Sequence, residues 1–218
     1  MKLYKIPKNL KTIIFDIDGT LYTNQAFVLE QVDVQIRYFA DLNGMSHQEA
    51  REKIAAYRKQ WGHEHGGKKI SLGNTFTAFG VDIETSINWR NSLLHPEEYL
   101  GQDAELRTVL ESLGKKYELI CVTNNPVDAA RRTLCAIGID KTLPRIIGLD
   151  TCKKSKPARE VLELAASQTG ASFEECLSVG DRYDIDLALP LELGMGAVLV
   201  DGAEDVKKLP SLIEYANL

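Results

Sequence analysis

The stretch Thr12-Ile13-Ile14-Phe15-Asp16-Ile17-Asp18-Gly19-Thr20-Leu21-Tyr22 decides how the rest of the chain is read. Its first half is short, β-branched and almost wholly apolar before it meets an aspartate, which suits a strand buried on both faces of a parallel sheet. Similar runs return at 118–123 (ELICVT), 145–149 (RIIGL), 176–179 (CLSV) and 197–200 (AVLV). Helical spacing fills the intervals. Asn125 before Pro126 reads as an N-cap with proline at the first helical position, and Ser155-Lys156-Pro157 repeats that device ahead of a helix over 159–169. Strand and helix alternate, which predicts an α/β fold with a doubly wound parallel sheet.

Residues 22–96 lack buried-strand runs. Helical periodicity appears instead over 27–43, 46–61 and 83–94, with a shorter piece near 75–79. Gly44 closes the first helix, and Ser46 with Glu49 forms a capping box for the second. The expected organisation is a sheet-containing core of residues 1–21 and 97–218, interrupted by a helical domain over 22–96.

Composition narrows the partners. The chain has 218 residues, 44% hydrophobic and 26% charged, an ordinary globular balance. A net charge of -5 with scattered Lys and Arg offers nothing to a polyanion, so nucleic acid is not expected as a partner. No apolar stretch reaches the roughly 20 residues that cross a bilayer, so no membrane partner is expected. The charged start, without a long apolar segment, leads to a cytoplasmic expectation. Cys121, Cys135, Cys152 and Cys176 are too widely spaced for a zinc or redox motif and are expected as reduced thiols.

Chemistry gathers at the strand ends, where doubly wound sheets bind ligands. Asp16 and Asp18 are two apart on extended chain, so both carboxylates can face one spot. Two carboxylates so placed repel unless a cation intervenes, and a hard divalent ion such as magnesium suits oxygen ligands. Thr123, Asn124 and Asn125 follow the second run and offer hydroxyl, amide and backbone donors to an anion. Lys156 adds a mobile positive charge after the third. Gly180-Asp181, then Asp184 and Asp186, follow the fourth.

These residues resemble the four ordered motifs of the haloacid dehalogenase-like superfamily: Phe15-Asp16-Ile17-Asp18-Gly19-Thr20-Leu21, Val122-Thr123-Asn124, Ser155-Lys156-Pro157 and Val179-Gly180-Asp181. The resemblance spans nearly the whole chain and implies a Rossmann-like core with the helical insert as a cap. It also implies roles. Asp16 would attack phosphorus and form an aspartyl phosphate, and Asp18 would act as general acid and then base. Thr123, Asn124, Gly19 and Lys156 would serve the phosphate, with Lys156 also counted as catalytic. Magnesium would be held by Asp16, Asp18 (through its main-chain carbonyl), Asp181 and Asp186. Asp186 is preferred to Asp184 as the second acid of the fourth motif, because the run from Asp186 to Gly194 better matches the family's helix. Pro190 departs from that pattern and is expected to shorten or kink the helix unless it falls in the first turn.

The cap is expected to exclude water and select the leaving group. Leu21-Tyr22, the stretch 57–67 (YRKQWGHEHGG), Leu94-His95-Pro96 and the expected helix over 103–113 resemble the pyrimidine 5′-nucleotidase-like branch in layout. That resemblance implies Tyr22, Tyr57 and His63 as substrate contacts and a nucleoside 5′-monophosphate as substrate. A phosphoglycolate or sugar-phosphate phosphatase, a phosphomutase, and a phosphate-ligand-binding regulatory module are the alternatives, with a monomer or homodimer as the expected assembly. His63-Glu64-His65 reads as a solvated loop rather than a metal site, and Lys68 and Lys69 as surface charge. Trp61, Phe76, Phe79 and Trp89 read as core of the insert, with base stacking as the competing use.

Overall fold

The computed structural model describes residues 1–67 and 69–216, so Lys68 lies outside the described residues. In chain order the elements are β1 (Lys2–Lys5), β2 (Thr12–Phe15), α1 (Gln25–Leu42), α2 (His47–Glu64), α3 (Leu72–Ala78), α4 (Ile83–Leu93), α5 (Ala104–Gly114) and β3 (Glu118–Val122). Then come α6 (Val127–Ala136), β4 (Ile146–Ile147), α7 (Leu149–Cys152), α8 (Arg159–Thr169) and β5 (Cys176–Gly180). A π-helical turn (Tyr183–Leu187) leads into α9 (Ala188–Glu192), and β6 (Gly196–Leu199), α10 (Ala203–Val206) and α11 (Leu209–Ala216) complete the chain. Two compact units result, Met1–Gln25 with His95–Leu218, and Ala26–Leu94. No helix among the described residues is long and apolar enough to cross a membrane.

The first unit carries a six-stranded sheet in the order β1-β6-β5-β2-β3-β4. Every pairing is parallel except β1 with β6. β2 is central and buried along its whole length, as its unbroken apolar run requires. Asp16 follows immediately, its N–H still donated to the Val179 carbonyl of β5. One sheet face packs Ile14, Ile120, Val122 and Ile147 against Val161, Leu162 and Ala165 of α8. β1 departs from the expected all-parallel sheet. Its KLYK sequence is mostly exposed, which an antiparallel edge strand tolerates and a buried parallel strand does not.

One expected helix start shifts: Pro126 is the N-cap of α6 rather than its first helical residue. α8 runs Arg159–Thr169 as expected, although Pro157 lies two residues ahead of it rather than at its first position. The Lys156–Pro157 peptide bond is cis. Pro190 falls in the first turn of α9, where a missing N–H is least costly.

The helical unit has its own core. Phe76 is fully buried between Phe39 and Trp89, with ring centroids 5.4 and 5.5 Å away. Ile36, Ala40, Ala50, Ile54 and Leu72 fill the rest. The capping box forms as expected, with Ser46 Oγ accepting from the Glu49 N–H and Glu49 Oε2 accepting from the Ser46 N–H.

Candidate active site

Asp16 is almost fully buried at the end of β2. The chain then turns tightly, with the N–H groups of Thr20 and Leu21 both donated to the Ile17 carbonyl. Gly19 makes the turn possible. Its φ is +84°, and a Cβ there would stand 2.6 Å from Asp181 Oδ2. Thr20 Oγ1 donates to Asp16 Oδ2 at 3.3 Å, a contact not anticipated from the sequence.

Lys156 is not the mobile charge expected. Only 7% of its side chain is exposed, and Nζ donates to Asp16 Oδ1 at 2.5 Å and to Asp186 Oδ1 at 2.7 Å. Burial opposes its charge, but the two carboxylates outweigh that and hold the ammonium above its ordinary value. Asn124 fixes the loop that carries it: Asn124 Oδ1 accepts from the Lys156 N–H at 2.6 Å, and Asn124 Nδ2 donates to the Lys156 carbonyl at 3.4 Å.

Asp181 and Asp186 close the site from β5 and the π-helical turn. Gly180, just before Asp181, leaves no room for a side chain, since a Cβ would fall 2.4 Å from that of Asp186. Ser178 Oγ donates to the Asp186 carbonyl at 2.8 Å. That carbonyl is the one an α-helix would offer to residue 190, which is proline and has no N–H. The strand hydroxyl therefore satisfies what Pro190 leaves open and anchors Asp186. Arg182 N–H adds a bond to Asp186 Oδ2 at 3.1 Å. Asp184, the competing acid, is exposed and outside this cluster.

Asp16, Asp181 and Asp186 bring carboxylate oxygens within 4.8 Å of one another. Burial, then the negative charge of Asp16, pushes Asp181 up to about 6, and the same two causes raise Asp186. Asp181 Oδ1 is buried without a hydrogen bond. Three hard oxygen donors that repel one another, one of them unsatisfied, fit a divalent cation.

Asp18 accepts from three side chains. Tyr22 hydroxyl donates to Oδ1 at 2.7 Å, and Oδ2 accepts from Asn125 Nδ2 at 2.9 Å and from Thr123 Oγ1 at 3.4 Å. Thr123 Oγ1 in turn accepts from the Asn125 N–H. Asn125, read from sequence as a helix cap and anion donor, instead turns its amide on Asp18. Its place directly after the second motif was the available signal.

Tyr57 and His63 lie in the helical unit. The Tyr57 ring packs on Phe79 with centroids 5.1 Å apart, and His63 is exposed in the last turn of α2. The neighbouring His65 stacks on Trp61 at 3.9 Å. Among the described residues, Asp16, Asp181 and Asp186 form the only group of three or more such side chains close enough to share a metal.

Known proteins share this layout. Residues 10–191 match the family model described as haloacid dehalogenase-like hydrolase. Pyrophosphatase PpaX of Listeria monocytogenes is 26% identical over 178 residues, covering 80% of this chain and 76% of that protein. Phosphoglycolate phosphatase of Salmonella typhimurium is 28% identical over 200 residues, covering 83% and 78%. A HAD phosphatase from Thermococcus onnurineus superposes with a TM-score of 0.62 at 21% identity, over 94% of this chain and 98% of that one. The HAD hydrolase YfnB of Bacillus subtilis, in a crystal form bound to magnesium, also gives 0.62 at 15% identity, over 94% and 99%. The chain belongs to the haloacid dehalogenase-like hydrolases.

Proposed function

We infer that this haloacid dehalogenase-like hydrolase is a magnesium-dependent phosphatase of a small phosphorylated metabolite, working through an aspartyl phosphate. The observation that carries the reading is the buried ammonium of Lys156 between Asp16 and Asp186, with Asp181 beside them. A protein would not bury two carboxylates and a lysine together, with a third carboxylate half-buried beside them, for stability, because desolvation costs roughly several kcal/mol per ion before pairing offsets it.

Asp16 attacks phosphorus while the bond to the leaving oxygen breaks, and Asp18 gives that oxygen its proton. Water then attacks the aspartyl phosphate, Asp18 takes the proton, and the phosphorus–Asp16 bond breaks. Lys156 holds Asp16 Oδ1 and supplies positive charge where the phosphoryl oxygens gather. Asn124 keeps Lys156 in place through its backbone. Asp16, Asp181, Asp186 and the Asp18 carbonyl would hold magnesium, whose charge offsets the repulsion between nucleophile and phosphate.

The dehalogenase alternative is disfavoured by Asp18, an acid halide displacement does not need. A nucleoside 5′-monophosphate is retained as a substrate candidate, and the names of the curated relatives add phosphoglycolate and pyrophosphate. The test is phosphate release with magnesium across these compounds and sugar phosphates, with chelator and Asp16→Asn as controls. Magnesium-dependent release that falls by about a thousandfold or more in the variant is expected. Undiminished turnover by Asp16→Asn would overturn the covalent route; product isomerisation without phosphate release would indicate a mutase, and binding without turnover a regulatory module.

A further inference from the structure

Asp18 is held by more donors than its place at the mouth of a site requires. Tyr22 is 5% exposed, and its hydroxyl reaches Asp18 Oδ1 at 2.7 Å. A buried tyrosine hydroxyl needs a polar partner, and here the partner is the carboxylate four residues earlier. On the other oxygen, the Asn125 amide donates at 2.9 Å and the Thr123 hydroxyl at 3.4 Å.

Asn125 is itself rigid. Its N–H is donated to Thr123 Oγ1, and its carbonyl accepts from the Leu149 N–H at 2.9 Å. Gly148 packs so closely that a Cβ would stand 2.7 Å from the Asn125 carbonyl oxygen. An amide nitrogen can only donate, so its bond to Oδ2 cannot reverse when Asp18 gains a proton.

We propose that Tyr22 and Asn125 are positioning residues that orient Asp18 for proton transfer to the leaving oxygen, rather than substrate contacts or helix caps. The inference rests on the reading of Asp18 as general acid. Proton donation fails when the acid is misplaced by about an ångström, so losing either anchor costs rate without removing any group that reacts. The step itself is unchanged: the Asp18 proton passes to the leaving oxygen as its bond to phosphorus breaks.

The leaving group supplies the test. An alkyl phosphate leaves as a poor alkoxide that needs a proton, whereas p-nitrophenolate leaves without one. We expect Tyr22→Phe and Asn125→Ala to lower kcat/KM for an alkyl phosphomonoester by about tenfold or more while p-nitrophenyl phosphate stays within about threefold. Asp18→Asn is the reference. Equal losses on both esters, or none, overturn the proposal, because a merely structural defect does not distinguish leaving groups. If Tyr22→Phe does not fold, Asn125→Ala decides alone. If Asp18→Asn itself shows no dependence on the leaving group, the acid assignment fails. If it does and the two anchors do not, the positioning inference alone fails.

Discussion

Lys156 and Arg37 each pair with two carboxylates, yet Lys156 does so with 7% of its side chain exposed and Arg37 with 30%. Lys156 lies in the sheet-containing unit, between carboxylates from β2 and the π-helical turn. Arg37 lies on α1 with Glu30 and Asp33, and Arg51 of α2 joins Asp33 at 2.7 Å. The two units use charge differently. The helical unit leaves the Glu30–Arg37–Asp33–Arg51 network part-exposed, buries Arg90 with its Nε donated to Gln35 Oε1 at 3.1 Å, and packs Phe39, Phe76 and Trp89 into its core. The sheet-containing unit buries ions where desolvation is costly, and that is where the chemistry is placed.

In the sheet-containing unit, removing the central charge should have the largest stability effect. Lys156→Ala leaves Asp16 and Asp186 buried without their cation, and unfolding in urea with chelator should show a loss of about 3–5 kcal/mol. Magnesium should recover part of it by supplying positive charge. A loss under about 1 kcal/mol would mean the buried lysine is no more integral than a surface one.

In the helical unit the largest effect should come from an apolar residue. Phe76→Ala removes a fully buried ring and should cost about 3–5 kcal/mol, measured by denaturant unfolding followed through Trp89 fluorescence. A neutral result would show that the aromatic cluster does not hold this unit together.

The smallest effect belongs to the surface network. Hydrogen bonds from Arg51 first, then Arg37, outweigh partial burial and hold the Asp33 carboxyl at about 2, below its ordinary 3.8. A depressed carboxyl stabilises the fold above the unfolded value, and the contribution fades as pH falls toward about 2. Asp33→Asn should therefore cost about 1 kcal/mol or less at neutral pH, a penalty that shrinks as pH falls toward about 2 and disappears below it. A thermal-shift series against pH checks this, and a penalty that persists in acid would assign the effect to packing.

Much of the fold was readable along the chain. Buried parallel strands show as unbroken apolar runs, and the helices of the insert show as 3.6-residue periodicity with the Ser46–Glu49 box at one start. β1 was missed because an exposed edge strand rich in lysine carries no such run. The proline at 126 marked its helix start one position early, since proline suits N-cap and first-turn positions alike, whereas the helix over 159–169 fell where its periodicity placed it.

By itself the sequence determined which chemical groups stand at the strand ends, because Asp16, Asp18, Thr123, Lys156 and Asp181 each follow a local pattern of strand and turn. Only the tertiary structure decided how they pair. Lys156 meets Asp16 across 140 positions and Asp186 across 30, and Asn125 meets Asp18 across 107. The sheet order sets those meetings, and a hydrogen bond between residues so far apart leaves no periodicity in the chain to read.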